Sequence, residues 1–204
     1  MVMKMRYLKE KVSFQYEVNK SIFIAVIYPV NDVNDLNKSL EDAKVSYPKA
    51  THYCSASLLG DHQEQQTADD DGEPSRTAGI PILDVLKHHD VTNILCVVIR
   101  YFGGIKLGGG GLIRAYTKAA AEVMRKASFY EKKYVPTFKI TFHYKDIDTI
   151  DHFLNEKAIV TSKTFTETIT YTFYLKPDIL SIAEISYLLI NQENLEPELL
   201  FIEA

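Results

Sequence analysis

Six of the nine glycines in this 204-residue sequence fall between Gly103 and Gly111. They follow an apolar run and open a segment with helical spacing. Arg100, Lys106, Arg114 and Lys118 bracket them. Free N–H groups at a helix start attract anions, and glycine lets another backbone or a ligand approach closely. One chemistry this permits is a phosphate or RNA-backbone contact made by Arg100, Lys106, Gly108, Gly109, Gly110, Gly111, Arg114 and Lys118. A second is a tight turn in which helix packs against strand, and a third is a peptide or protein contact. The stretch has neither the G-K-[ST] ending of a P-loop nor the spacing of a dinucleotide fingerprint.

A second cluster is acidic: Asp69, Asp70, Asp71 and Glu73. Clustered carboxylates can hold Mg²⁺ or Ca²⁺, but EF-hand spacing is absent. Solvated carboxylates, or carboxylates capping a helix that begins near Thr77, are the simpler reading. His52 and Cys54 alternate along a strand-like run. A Cys–His nucleophile also needs an orienting third group, and no motif supplies one. Two isolated cysteines, Cys54 and Cys96, make neither a disulfide framework nor a zinc site. The sequence therefore assigns no catalytic residue, no metal ligand and no cofactor.

The elements that must position these clusters follow from periodicity. Val12 to Val18 alternates as a half-buried strand, and Ser21 to Tyr28 reads as a second. Val33, Leu36, Leu40 and Ala43 have helical spacing, with Asn31 or Asp32 as cap and Pro48 as stop. Thr51 to Leu59 is a third strand. Residues 60–76 read as a long polar loop. Thr77 to His89 is a short helix, Asn93 to Phe102 a strand apolar on both faces, and Gly110 to Ala127 a helix with Leu112, Tyr116, Ala119, Val123 and Ala127 on one stripe. From Val135 the expected order is strand, helix over 146–155, two strands, helix over 178–190, and a strand over 195–203. This βαββαβ order is ferredoxin-like.

The blocks DDDGEPSRTAG (69–79) and VVIRYFGGIKLGGGGLIRAY (97–116), with NKSIFIA (19–25) and ATHYCSA (50–56), strongly resemble the bacterial YigZ family. That family shares its N-terminal domain with the eukaryotic translation regulator IMPACT. The resemblance implies an α+β chain. Its residues 1–134 would form a two-layer domain like domain 2 of ribosomal protein S5. Residues 135–204 would form the ferredoxin-like domain, similar to one in elongation factor G. It also makes an ion pair between Asp70, Asp71 or Glu73 and the Arg100 or Arg114 side attractive. Two positions depart from the family: Arg76 where glycine is usual, and Ile22 where arginine is common.

Charge supports two different surfaces. From Val135 onward there are five Lys, no Arg and eleven acidic residues, against eighteen basic and sixteen acidic before it, or −6 against +2. No apolar run has signal-peptide or membrane-spanning length, so a cytoplasmic protein is expected. Three functions fit: an RNA- or ribosome-binding protein linked to translation, a protein-binding regulator like IMPACT, and a phosphate-handling or metal-assisted hydrolase. The first is preferred, since the third lacks a catalytic constellation and the second rests on family likeness.

Overall fold

The computed structural model describes residues 5–203. It forms an α+β chain of two compact units, one running to Glu131 and taking in Glu203, the other Lys132–Ile202. Along the first unit run β1 (Arg6–Leu8), β2 (Val12–Val18), β3 (Ser21–Pro29), α1 (Val33–Ser46), β4 (His52–Leu59), β5 (Gln65–Asp69), α2 (Gly79–His88), β6 (Val91–Thr92), β7 (Ile94–Tyr101) and α3 (Gly108–Lys126).

Its main sheet has the order β2-β3-β7-β4-β5, and every neighbouring pair is antiparallel. The β2–β3 hairpin turns on Asn19 and Lys20, with φ of 47° and 61°. Two consecutive left-handed residues are what the favoured two-residue hairpin turn requires. Strands β3 and β7 are apolar on both faces, so both faces must be covered. Phe23, Ala25, Cys96 and Val98 pack against Ile82 and Leu86 of α2 and Leu112, Tyr116 and Val123 of α3. The opposite residues, Ile24, Val26, Val97 and Ile99, pack with Leu36, Leu40 and Ala43 of α1. The unit therefore has three layers, and the two-layer expectation is corrected. α1 starts as expected, with the Asp32 side chain accepting from the Asp35 N–H at 2.9 Å.

Residues 60–76 are not all loop. β5 pairs with β4, and Ser57 and Thr67 share a hydroxyl hydrogen bond of 2.7 Å. A small second ladder joins β1 in parallel to β6 and antiparallel to residues 129–131. Those residues begin β8 (Phe129–Phe142), so the passage between units falls inside a strand.

The second unit continues with a 3-10 turn (Tyr144–Asp146), α4 (Ile147–Lys157), β9 (Ala158–Phe165), β10 (Ile169–Leu175), a 3-10 stretch (Ala183–Leu188) and β11 (Leu189–Glu203). β8 pairs with both β10 and β11, and β10 also pairs with β9. Phe138, Ile140, Phe142, Tyr171 and Phe173 pack against Ile150, Phe153 and Leu154 of α4. The helix expected over 178–190 is only the 3-10 stretch, and β11 begins six residues before the expected strand. Asp178, the expected cap, has φ of 84° and meets Lys133 at 2.7 Å. With the cap spent elsewhere and β-branched Ile179, Ile182 and Ile185 following, helix nucleation lacks support. No helix among the described residues is long and apolar enough to cross a membrane.

Candidate functional site

Asp70 organises the acidic loop. One carboxylate oxygen accepts from the backbone N–H groups of Ala78 and Gly79, at 2.9 and 2.8 Å, and the other from Arg76 N–H at 2.6 Å. The start of α2 has no cap on its own N-cap residue, Ala78, so Asp70 supplies it from eight and nine residues upstream. Desolvation pushes the Asp70 carboxyl up, but the three N–H bonds together outweigh it and hold the group below its ordinary value. Asp71 accepts from Tyr53 N–H at 2.6 Å through its side chain. Of the readings open for the acidic block, helix capping is the one seen for Asp70. Among the described residues no group of three or more His, Cys, Asp or Glu is arranged to hold a metal ion.

Arg76, where the resemblance leads one to expect glycine, has φ of 64°. A left-handed L-residue costs roughly 1–2 kcal/mol, against the roughly 0.5–1 kcal/mol of extra chain entropy that glycine loses on folding. Arg76→Gly is therefore expected to stabilise the protein by a few tenths to about 1 kcal/mol, raising the urea midpoint without changing the slope. A lower midpoint would show that the Arg76 side chain supports the loop more than its backbone strains it.

Glu73 and Arg100 form the buried centre. Arg100 is only 4% exposed. Its Nη1 donates to Glu73 Oε1 at 2.6 Å and its Nη2 lies 3.4 Å from Ser21 Oγ. The guanidinium sits between the rings of Phe23 and Phe102, 5.4 and 5.2 Å from their centroids. Tyr116 donates to the same Glu73 oxygen at 2.8 Å, and burial first, then the neighbouring Cys54 and Glu73, push its phenol far up. His52 Nε2 lies 3.9 Å from Glu73 Oε1, and His52 Nδ1 2.7 Å from the Asp71 carbonyl. Cys54 Sγ approaches the Asp70 carbonyl and Tyr116 Oη at 3.0 and 3.3 Å. Burial pushes its thiol up to about 12, so it is no ready thiolate. Cys54 and His52 make no hydrogen bond with each other among the described residues.

Arg100 therefore leaves the set expected to face phosphate: its charge is committed to Glu73. Arg114, the other expected ion-pair side, is exposed and makes no ion pair among the described residues. The remaining candidates lie on two sides of the start of α3. Lys106, Gly108 and Gly109 line one cleft of about 390 Å³ with Phe102, Glu73 and Arg100. Gly111, Arg114 and Lys118 line a second groove beside Tyr16, and the Lys118 ammonium lies 4.9 Å from that ring's centroid. Leu107 borders both.

The glycines divide by physical reason. A Cβ on Gly103 would stand 1.9 Å from the Lys20 carbonyl oxygen, so that close approach is structural. Gly108 has φ of 69°. Gly109 and Gly110 have neither constraint: a Cβ on Gly109 would meet nothing within 4 Å, and one on Gly110 only the tip of Arg114 at 3.6 Å. Both are exposed at the open end of a 19-residue helix whose N-cap, Leu107, makes no side-chain cap. Sequence reasoning did not assign Ser21 or Tyr116 to this site. Ser21, a fully buried hydroxyl that also accepts from Gly103 N–H at 3.1 Å, had no signal beyond its place in a strand and in the block NKSIFIA. Tyr116 carried a usable signal, a phenol within an otherwise apolar helix stripe, because a buried Tyr hydroxyl needs a partner.

The family described as the Impact N-terminal domain matches residues 19–124, which contain this whole cluster. The chain belongs to the IMPACT family. It is 35% identical over 170 residues to the IMPACT family member YvyE of Bacillus subtilis (strain 168), covering 83% of this chain and 78% of that one. It is 33% identical over 142 residues to the IMPACT family member YigZ of Escherichia coli (strain K12), covering 69% and 70%. A crystal structure of a hypothetical protein aligns with a TM-score of 0.62 and 27% identity, over 92% of this chain and 91% of that one.

Proposed function

We propose that this IMPACT-family member is a cytoplasmic, non-catalytic binding protein linked to translation, which holds RNA or ribosomal phosphate backbone at the open start of α3. In this reading residues 1–134 are a domain related to domain 2 of ribosomal protein S5, and residues 135–204 a ferredoxin-like βαββαβ domain with its second helix shortened. The observation that carries the reading is the pair Gly109 and Gly110. Glycine is disfavoured relative to alanine in a helix, by up to about 1 kcal/mol in its interior, and among the described residues neither a close contact nor a left-handed φ requires Gly109 or Gly110. A backbone that must approach the helix start does require them. Exposed Lys106, Arg114 and Lys118 supply the positive charge around it. The hydrolase reading loses support, because Asp70 and Asp71 spend their carboxylates on backbone N–H groups. A protein partner of the translation machinery is the second reading, favoured by the exposed side chains of Phe102, Ile105 and Ile113.

Affinity for structured RNA should fall steeply with salt, because each Lys or Arg on a phosphate releases counterions. Lys106→Ala and Lys118→Ala are each expected to weaken binding and to flatten the log–log salt slope by roughly 0.7–0.9. Anisotropy titrations of ribosomal RNA fragments across a KCl series measure both. The reading fails if wild type binds neither ribosomes nor structured RNA at low salt, or if the folded variants bind as well as wild type. Capture of a partner that survives ribonuclease treatment would favour the protein reading.

A further inference from the structure

Resting on the reading above, we infer that the 390 Å³ cleft beside the start of α3 receives one nucleotide, its base stacked on Phe102 and its phosphate at Lys106 and the first-turn amides of α3. The cleft lies at the small end of the range for small-molecule pockets, roughly 300–1,000 Å³. Its walls have two characters. Phe102 is 45% exposed, and Leu107 and Leu112 complete an apolar side with it. Lys106, Gly108 and Gly109 form the other side, at a helix start that has no side-chain cap and whose first N–H groups lack intrahelical partners. An apolar wall with a free aromatic face takes a planar ring, and every base has a π-face. A cationic rim at a helix start takes a phosphate.

The buried charges fit this ligand. Arg100 and Glu73 cancel one another, so Lys106 and the helix start set the sign of the rim. Glu73 Oε1 is occupied by Arg100 and Tyr116, whereas Oε2 makes no hydrogen bond among the described residues and can accept from the amino or imino edge of a base. The Arg100 guanidinium stacks over the Phe102 ring at 5.2 Å, which restrains the ring as a platform. Arg100 Nε is itself buried without a partner among the described residues, a cost the protein bears at the wall of this cleft. The neighbouring groove lined by Arg114 and Lys118 then receives the adjoining backbone.

Single-stranded RNA carrying 2-aminopurine tests the stacking directly. Binding by wild type should quench the probe, and Phe102→Ala should abolish the quench and lower affinity about five- to 150-fold. Phe102→Leu, which keeps apolar bulk without a π-face, should behave like the alanine variant, and Phe102→Trp should retain quench and affinity. Amide shifts of Phe102 to Leu112 on titration with adenosine 5′-monophosphate, against ribose 5-phosphate and inorganic phosphate, give an independent arm. Only the nucleotide should move the Phe102 amide as well as those of the helix start. RNA that binds without quenching, or binds folded Phe102→Leu as tightly as wild type, overturns the base pocket and leaves the backbone reading standing. If wild type binds no RNA, the backbone reading fails. An unmoved Phe102 amide in the nucleotide titration then overturns the pocket as well, whereas a specific shift preserves it.

Discussion

Arg100→Met is expected to destabilise the first unit by about 3–5 kcal/mol. The cost comes less from the lost attraction than from what remains. Glu73 would keep its carboxylate in a site where only 4% of its side chain is accessible, with Tyr116 as its one remaining close donor among the described residues. Glu73→Leu should cost a similar amount, because it strands a guanidinium held between Phe23 and Phe102. The double variant should lose far less than the sum, since apolar side chains of similar volume can replace a buried ion pair with little net cost. Urea unfolding of the four proteins, followed by circular dichroism and by amide signals of the first unit, closes the cycle. A coupling of roughly 2 kcal/mol or more is expected for groups in direct contact. Additive losses would mean that the two residues act independently and that their pair is not the centre of the site.

The contrast between Arg100 and its neighbours shows what the sequence could and could not convey. The frame was legible because it repeats: the β2 alternation half-buries the residues it selects, β7 is buried on both faces, and the α3 stripe is buried from Leu112 to Val123, with Ala127 half-buried just past the helix end. The expectation that the run 93–102 is buried on both faces already contained the third layer, although the two-layer family fold hid it. β5 was missed because all five of its residues are exposed, which leaves no apolar period to detect. The site was legible in composition only. Lys106, Arg114 and Lys118 stay at the surface as their types suggest. Arg100 does not, because a charged residue is buried only when a partner reaches it, and Glu73 reaches it from 27 residues away through a loop whose path no local pattern encodes. The capping of α2 was foreseen as an option for the acidic block, but which carboxylate performs it depends on the turn at Asp71 and Gly72, with φ of 41° and 82°.

Asp70→Ala is expected to cost about 2–3 kcal/mol near neutral pH, and the cost should shrink in acid. A cap lost to alanine usually costs about 0.5–2 kcal/mol. Here one ionised carboxylate serves three N–H groups, and hydrogen bonds to charged groups are worth more than neutral ones, about 1.5–3 kcal/mol. The pH dependence follows from the direction of the Asp70 shift. Its carboxyl titrates lower in the folded chain than in the unfolded one, where about 3.9 is ordinary. Its contribution is therefore fully present above the unfolded value and is lost as pH falls through the folded value. Wild type and Asp70→Ala should thus differ most near pH 7 and converge below about pH 4, as read from urea midpoints along a pH series. A gap that stays constant into acid would mean that shape rather than charge makes Asp70 matter. The same substitution should reach the cleft, because Glu73 lies between Asp70 and the N–H groups that Asp70 holds at Arg76, Ala78 and Gly79. Loosening that loop releases the carboxylate that keeps Arg100 in place. A folded Asp70→Ala variant should then show larger amide shifts at Arg100 and Phe102 than at α1, which packs on the far face of the sheet.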